Sequence, residues 1–402
     1  MPFPPKIARI AEMSLVPLTM YALSRLVSTG VLLGLQSQQS TDPNFRGGGV
    51  VPILVQPRTY LHIISNWDGL WYQLIATQGY PSHLSTYADG SLVQNQWAFY
   101  PGFPMLCRVL MHLGLSFGAA SSLINLVACG VGCCLLYALV LRTGSQFTAT
   151  MAVIGFAFFP TATVLQASYT ESLAFMLIVG ALLALSSRKY GWFALCALTL
   201  GLTRPVALPL TVVIAVHALV RWIRRDTDPF PARDRIRVTV AGALTLGSFA
   251  IWPLIAAIMT GRFDAYYATE LTWDNDRRWV TWLSETVNIG GQGVMLFTVI
   301  AGFGIIGIVS QRAAKAWPLE LRTWSAAYVL YLLASTRVTP SITRYLMLAI
   351  VLGWPFPEFS ERRLPLAAQV GIAGAVMVAG TLLQIGWTGS DFIVGDNWRG
   401  YP

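Results

Sequence analysis

Apolar runs recur along the whole chain and are separated by short polar or basic turns. A membrane-spanning helix needs about 20 mostly apolar residues. Several runs are shorter than this, which is common where helices are broken around a cavity. The pattern therefore predicts an all-α polytopic membrane protein with about 11 spans. The predicted spans lie near residues 14–36, 119–141, 147–166, 171–187, 190–203, 205–221, 238–260, 291–311, 320–336, 342–357 and 366–387.

The composition favours one membrane domain over residues 1–402 rather than two or three soluble domains. The chain is 55% hydrophobic and 11% charged, whereas soluble domains carry roughly 25% charged residues. So few charged side chains cannot cover a water-facing surface of this size.

Potential metal ligands are scattered along the chain. The five cysteines form no CxxC pair and no zinc-binding spacing. His62, His83 and His217 make no metal pattern, and the acidic pairs lack a ligand cluster. We therefore expect neither a catalytic metal nor a cofactor.

The net charge of +9 is explained better by a membrane location than by nucleic-acid binding. Arg and Lys are concentrated in short turns between apolar runs, as the excess of positive charge on the cytoplasmic side requires. The most basic segment, residues 221–237, is expected in the cytoplasm. Counting spans from it puts the N-terminus inside and the C-terminus outside a bacterial plasma membrane. The outer segments are then a first loop at 37–118, a loop at 261–290 and a tail at 388–402.

Residues 97–116 are almost apolar enough to form one more span. A span there would move the basic segment 221–237 to the outer side, against the charge rule. We therefore expect an amphipathic helix at 103–115 that lies on the outer membrane surface. Arg108 and His112, four residues apart, would share its water-facing side.

The first candidate for chemistry is Asp68, in the aromatic stretch 66–80 of the first outer loop. In a helix, Asp68 would lie beside Trp71 and Tyr72, three and four residues further on. Aromatic rings stack on the apolar faces of sugar rings, and a carboxylate can act as general base on a hydroxyl. From the residues alone, an aromatic belt around a solvated Asp is the simpler alternative.

Two further outer segments could contribute to such a site. Tyr100 lies in the segment 97–104, whose two prolines also suit a rigid surface turn. Glu171 begins a span, two residues after Tyr169. It either stabilises the helix N-terminus or orients an acceptor or a neighbouring Arg.

Arginines at the outer membrane boundary form another group of candidates. Arg204, Arg344 and the nearby Arg337 either extend to lipid headgroups or bind a lipid-linked phosphate through two hydrogen bonds. Tyr345 directly follows Arg344. Arg25 lies mid-way along the first span, where a charge is costly, so we expect a functional or a pairing residue.

These residues resemble, in order and spacing, the motifs of PIG-V-like mannosyltransferases. That family comprises bacterial relatives of the second GPI mannosyltransferase, within the GT-C glycosyltransferases. The likeness extends over roughly residues 10–360, and Asn66, Tyr100 and Phe103 depart from the family pattern. The residues that carry it are Trp67-Asp68, Trp71-Tyr72, Ile75-Ala76 and Gly79-Tyr80, then Phe99-Tyr100-Pro101 with Pro104, Tyr169-Thr170-Glu171-Ser172, Thr203-Arg204, and Ser341 with Arg344-Tyr345.

The resemblance implies a GT-C-type fold and an inverting, metal-independent transfer of mannose on the outer side of the membrane. The donor would be polyprenyl-phosphate-mannose, and the acceptor a glycolipid or glycan among the membrane lipids. By the resemblance, Asp68 is the catalytic base, with Trp67 as its structural neighbour, and Arg204 and Arg344 are site residues. We expect these two arginines and the nearby Arg337 to bind the donor phosphate. The expected substrate-binding residues are Trp67, Trp71, Tyr72, Tyr100, Tyr169, Glu171 and Tyr345.

Other classes of function stay open at this point. A transporter or flippase for a lipid-linked sugar needs helices lined by arginines and aromatic residues, but no essential outer carboxylate. A non-catalytic membrane scaffold would use the first outer loop as a docking surface. Among enzymes, the alternative is a polyprenyl-phosphate donor that carries another sugar, such as arabinose or glucose.

Overall fold

The computed structural model is built from helices and connecting turns, and the residues that it describes include no β-strand. It describes residues 5–40, 59–273, 307, 317–336, 341–350 and 364–395. The helices are α1 (Pro5–Leu35), α2 (Tyr60–Ile63), α3 (Asp68–Gln78), α4 (Gly102–His112), α5 (Phe117–Val140), α6 (Gln146–Ala157), α7 (Glu171–Ser186), α8 (Tyr190–Gly201), α9 (Ala207–Ile223), α10 (Ala232–Thr260), α11 (Ala265–Glu270), α12 (Leu319–Ser335), α13 (Ile342–Leu346) and α14 (Leu366–Trp387).

Residues with strong local preferences fix where several helices begin and end. The side chains of Ser116 and Ser145 accept hydrogen bonds from backbone N–H groups three residues on, at the starts of α5 and α6. Pro231 and Pro318 hold the extended entries to α10 and α12. Gly261 ends α10 with φ at +67°, a left-handed conformation that costs glycine little.

Several of these helices are long and apolar enough to cross a membrane, and the protein is therefore a multi-pass membrane protein. Helices α6 to α9 are apolar but have only 12 to 17 residues. The predicted span 291–311 lies outside the described residues. Within the described ranges, the four candidates by length and composition are Ser14–Gln38, Phe117–Val140, Ala232–Thr260 and Leu366–Phe392.

The predicted span 147–166 is wrong as a single helix. Helix α6 ends at Ala157, and a 3₁₀ turn covers Ala162–Gln166. Pro160 lies in the break, where it lacks a backbone N–H and disfavours helix in the residue before it. Arg25 fills the break, because its guanidinium donates to the backbone oxygens of Ala162 at 2.8 Å and Ala157 at 3.1 Å. The pairing role predicted for Arg25 is thus met by backbone carbonyls.

The predicted span 342–357 is also not one continuous helix. Helix α13 is five residues long, and a 3₁₀ turn follows at Met347–Ala349. Ile350 then has φ at +57°, a left-handed conformation that a helix of L-residues does not continue through. Only the start of the predicted span is therefore helical among the described residues.

The core of the bundle forms where α5, α7 and α8 pack against one another. Phe156 of α6 stacks on Phe175 of α7 with ring centroids 3.6 Å apart. Gly132 of α5 makes this possible, because a Cβ atom there would lie 2.5 Å from the Phe175 ring. Small residues allow such close approach between membrane helices.

The segment 97–116 contains α4, which is shorter than the predicted helix 103–115. Its exposed side is apolar, with Leu106, Val109 and Leu113. Arg108 does not share a water-facing side with His112, contrary to the prediction. Its Nε donates to the backbone oxygen of Ala76 at 2.6 Å, because the last carbonyls of helix α3 have no partner within that helix.

Helices α9 and α12 pack side by side and run in opposite directions. His217, late in α9, contacts Glu320 in the first turn of α12 at 2.8 Å. At the other end, the hydroxyl of Tyr331 donates to the backbone oxygen of Pro205. The polar group near His217 is called the Arg221 cluster below, and it consists of Tyr190, His217, Arg221, Asp234 and Glu320.

Candidate active site

Asp68 is the first residue of α3, and the backbone turns sharply just before it. Trp67 has φ at +57° and ψ at −118°, a conformation that is unfavourable for residues with a side chain and that clusters at functional sites. Gly69 passes close to Ser168, because a Cβ atom on Gly69 would lie 3.2 Å from that of Ser168. The turn therefore brings Asp68 to the segment that precedes α7.

This strained turn is supported by residues from distant parts of the chain. The indole N–H of Trp67 donates to the backbone oxygen of Phe392 at 2.8 Å. The side-chain amide of Asn66 donates to Oε1 of Gln39 at 3.1 Å, and that oxygen also accepts from the backbone N–H of Val394 at 3.1 Å. Trp67 was predicted to bind substrate. In the structure its side chain is buried and is part of these supporting contacts.

Four charged side chains from separate elements meet beside the turn. Nη1 of Arg344 lies 2.7 Å from Oδ2 of Asp68. Nε of Arg344 lies 3.4 Å from Oε1 of Glu171, and Nη1 of Arg204 lies 2.7 Å from the same oxygen. These four residues, called the Asp68 cluster below, were all singled out in the sequence, and the structure brings them together.

Within the Asp68 cluster, Glu171 and Arg344 are buried, Arg204 is 13% exposed, and Asp68 is the most exposed member. That side chain is 30% exposed, whereas Arg344 is 3% exposed and Glu171 is fully buried. Two carboxylates and two guanidinium groups balance to zero, as buried charges require. Burial alone would lower the pKa of Arg204, but the carboxylate of Glu171 more than offsets this and holds the pKa above its usual range. Arg204 therefore stays charged.

Two tyrosines surround the guanidinium groups. The Cζ atom of Arg344 lies 4.7 Å from the ring centre of Tyr169 and 5.0 Å from that of Tyr345. The Cζ atom of Arg204 lies 5.3 Å from the Tyr345 ring. Cations are attracted to ring faces at these distances. Tyr169 and Tyr345, two of the four tyrosines predicted as substrate-binding residues, thus lie at the cations.

The loop that carries Arg204 is fixed from two sides. Nη1 of Arg204 donates to Oγ1 of Thr170 at 2.9 Å, the residue before Glu171. The backbone N–H of Gly102 donates to the backbone oxygen of Leu202 at 2.7 Å. Only glycine fits at position 102, because a Cβ atom would lie 2.8 Å from that oxygen. Three of the sequence motifs are therefore in direct contact.

The two aromatic residues that follow Asp68 along α3, Trp71 and Tyr72, lie in different environments. Tyr72 is buried and interacts with Thr170 beside the Asp68 cluster. Trp71 stacks on Phe99, with ring centroids 5.6 Å apart, and meets Trp273 edge to face at 5.3 Å. Trp71 therefore belongs to an aromatic group next to Asp68.

Tyr100 lies in a different aromatic group from the one beside Asp68. Its hydroxyl donates to that of Tyr266 at 3.2 Å, and its ring lies 5.9 Å from Trp252. Trp97 packs in the same group. Tyr100 therefore lies where the first loop packs against α10 and α11. Its predicted role in substrate binding stays a prediction.

Sequence reasoning missed the supporting residues of the site. Phe392 contributes only a backbone oxygen, and both Gln39 and Trp273 lie outside every motif. Thr170 was part of a motif but had no assigned role. Arg337 lies outside the described residues. In the part of the chain that the structure describes, no group of three or more His, Cys, Asp or Glu side chains could hold a metal ion, and metal independence stays a prediction.

Comparison with solved structures gives the class of fold. The oligosaccharyltransferase of Archaeoglobus fulgidus, in a crystal structure with zinc and sulfate, matches 95% of this chain with a TM-score of 0.53 and 14% sequence identity. The chain has a GT-C-type fold. It spans about half of that transferase, 53% of its length. A weaker likeness, with a TM-score of 0.48 and 13% identity, links 92% of the chain to 70% of ArnT from Cupriavidus metallidurans bound to undecaprenyl phosphate.

The GT-C-type fold confirms the coarser part of the predicted fold class. No protein-family model matches the chain, and no curated protein matches it in sequence. The assignment to the PIG-V-like mannosyltransferases within the GT-C type therefore stays a prediction, as do the number of spans and the orientation in the membrane.

Proposed function

We propose that the protein is an inverting glycosyltransferase that moves mannose from polyprenyl-phosphate-mannose to a glycolipid or glycan acceptor. The GT-C-type fold supports glycosyl transfer, and the motif resemblance supports mannose as the sugar. The distribution of Arg and Lys supports a site on the outer side of a bacterial plasma membrane. Neither a metal nor a cofactor has a part in this proposal.

The ion pair between Asp68 and Arg344 is the observation that carries the proposal. It joins a partly exposed carboxylate, which a hydroxyl group can reach, to buried guanidinium groups that suit a phosphate. A general base must lie within hydrogen-bond reach of the proton that it takes. A transporter would need the cations but would have no use for Asp68 as a base.

The reaction is a single displacement. The acceptor hydroxyl gives its proton to the Asp68 carboxylate while its oxygen forms a bond to the anomeric carbon of the donor. The bond between that carbon and the phosphate oxygen breaks, and the phosphate keeps the electron pair. Because the attack comes from the face opposite the leaving group, a β-linked donor gives an α-linked product.

Arg344 can interact with both the base and the leaving phosphate of this displacement. While Asp68 is ionised, one N–H of Arg344 is bound to it. As Asp68 takes up the proton, that N–H becomes available to the leaving phosphate, which gains charge in the same step. Arg204 supplies a second cation, and preorganised donors of this kind stabilise charge that develops in a transition state.

The Asp68→Asn variant tests the proposal. We expect loss of mannose transfer from radiolabelled polyprenyl-phosphate-mannose to membrane lipids, because Asn cannot accept the proton. Binding of the donor should persist, because Arg204, Arg344 and Glu171 are unchanged. Transfer and donor binding would both be measured on purified protein in lipid nanodiscs.

The matched control is Asp89→Asn, in the same predicted outer loop. The Asp89 carboxylate is exposed and accepts hydrogen bonds from Ser91, and we expect wild-type transfer from this variant. Wild-type turnover by the Asp68→Asn protein would overturn the proposed base. A transporter would be favoured if the wild type formed no labelled product, and if the wild type and the Asp68→Asn variant moved the sugar lipid across vesicle membranes at the same rate.

A further inference from the structure

Two segments that the sequence places outside the membrane are joined in the structure. The side-chain amide of Asn95 donates to Oγ1 of Thr269 at 3.2 Å, and that of Gln94 donates to the backbone oxygen of Thr272 at 3.4 Å. These bonds hold α11 and the turn after it against the first long loop. The next residue, Trp273, is therefore carried to a defined place beside α3.

Trp273 completes a group of three aromatic side chains. Its ring meets Trp71 at 5.3 Å with an interplanar angle of 72°, and Phe99 at 5.5 Å with an angle of 84°. Trp71 and Phe99 are in turn stacked at 5.6 Å and 16°. Trp71 is buried, whereas Trp273 is 39% exposed. The group therefore presents one indole to the surroundings, backed by two packed rings.

This indole packs against Trp71, which lies on the same helix as the proposed base. Trp71 follows Asp68 by three residues on α3, so both side chains lie on one face of the helix. A pyranose needs this combination, because its C–H groups form apolar faces that pack on aromatic rings, while its hydroxyl groups need polar partners.

We propose that Trp273, backed by Trp71 and Phe99, forms the subsite for a pyranose ring of the acceptor. This inference rests on the proposed function and narrows its acceptor class to molecules whose accepting hydroxyl belongs to or adjoins a six-membered sugar ring. A phosphate-linked donor belongs at the cations Arg204 and Arg344, whose side chains are 13% and 3% exposed. The exposed indole faces the substrate that arrives from the surroundings.

The attachment of Trp273 explains how a loop residue can act in recognition. The segment before Trp273 is fixed by its bonds to Asn95 and Gln94, so the ring is ordered before a sugar binds. Binding to a pre-ordered ring avoids the cost of ordering it on association. Trp273 is therefore a determinant of acceptor affinity, separate from the base Asp68.

The test measures binding of octyl α-D-mannopyranoside to the full-length protein in nanodiscs. We expect Trp273→Ala to weaken binding about five- to tenfold, as loss of one aromatic contact would, and Trp273→Phe to restore most of the affinity. Octylglycerol, which has the same alkyl chain and no sugar ring, should bind all variants equally. Binding of polyprenyl phosphate should be unchanged in each variant.

The matched control is Trp192→Ala, which removes another exposed tryptophan, 63% exposed in the first turn of α8. Wild-type affinity of Trp273→Ala for the glycoside would overturn the proposal. So would equal weakening by Trp192→Ala, weaker polyprenyl phosphate binding by Trp273→Ala, or no glycoside binding by the wild type. Since the readout is sugar binding, its failure is distinct from failure of the Asp68→Asn transfer assay.

Discussion

The two charged clusters at opposite ends of α9 and α12 are assembled in different ways. In the Arg221 cluster, Arg221 donates to the hydroxyl of Tyr190 at 2.7 Å, to Asp234 at 3.1 Å and to the backbone oxygen of Pro229 at 2.7 Å. These partners lie on adjacent helices and the turn between them. The Asp68 cluster joins residues as far apart as 276 positions in the chain, the separation of Arg344 from Asp68.

The partners of the arginines differ as well. Arg221 is bonded to a backbone carbonyl and a phenol as well as to the carboxylate of Asp234, and these bonds hold a turn between neighbouring helices. Arg344 is bonded to Asp68, a carboxylate that can take up a proton, and a strained residue stands directly before it. The Arg221 cluster therefore joins neighbouring helices, whereas the Asp68 cluster joins distant segments of the chain beside a strained turn.

The largest effect is expected from Arg344→Met. Loss of one preorganised donor to a developing anion typically lowers turnover about 10²- to 10³-fold, and donor affinity should fall as well. Steady-state transfer assays in nanodiscs, normalised to folded protein by size-exclusion chromatography, would measure this. Wild-type turnover per folded molecule would contradict the assignment of Arg344 to the leaving phosphate.

Arg221→Met is the counterpart in the other cluster. We expect a loss of about 2–3 kcal/mol in stability, because Asp234 loses its cation and Pro229 loses a donor. Turnover per folded molecule should stay at the wild-type value. Thermal unfolding in detergent gives the first quantity and transfer assays the second. A fall in turnover comparable with that of Arg344→Met would erase the distinction between the clusters.

A smaller effect is expected from Trp67→Phe, which keeps an aromatic ring at the buried position but removes the N–H that binds Phe392. A hydrogen bond of this kind contributes about 1 kcal/mol, which corresponds to roughly a fivefold change in a rate. We expect lower turnover with unchanged donor affinity, because the turn before Asp68 is loosened while the cations stay in place. Reduced donor binding without a change in turnover would argue against a supporting role for Trp67.

The smallest effect is expected from Arg188→Asn. Arg188 pairs with Asp228 at 2.6 Å, but the two side chains are 49% and 33% exposed, and solvent-accessible pairs contribute at most about 1 kcal/mol. Asn tolerates the positive φ of residue 188, so the backbone should be preserved. Neither the unfolding midpoint nor turnover should change measurably, and a loss as large as that of Arg221→Met would be inconsistent with this.

The sequence was sufficient to predict the membrane class, most helices and the members of the Asp68 cluster. Apolar runs of helix length are local features of the sequence, so the positions of α5 and α10 could be predicted from hydropathy alone. Arg204, Glu171 and Arg344 were found because each stands in a motif at the boundary of an apolar run. Their mutual contact needed the fold, since nothing local links Arg344 with Asp68.

Hydropathy could not reveal where helices break or which carbonyls an arginine binds. An apolar run looks the same whether α6 continues or stops at Ala157, because side-chain hydropathy does not report backbone hydrogen bonding. Arg25 therefore had no predictable partner, and Arg108 was assigned to water instead of to the end of α3. Tyr100 was placed at the substrate by its motif, whereas packing against Trp252 decides its position.

The support of Trp67 by Phe392 has a consequence for how the protein is made. The two residues are separated by 325 positions, and a ribosome synthesises the first of them long before the last. Asp68 therefore emerges without its finished turn, and the site is completed only when α14 has been inserted and residues 388–395 have docked on the first loop. A nascent chain that stalls before α14 would contain every residue of the Asp68 cluster and would still lack an assembled site.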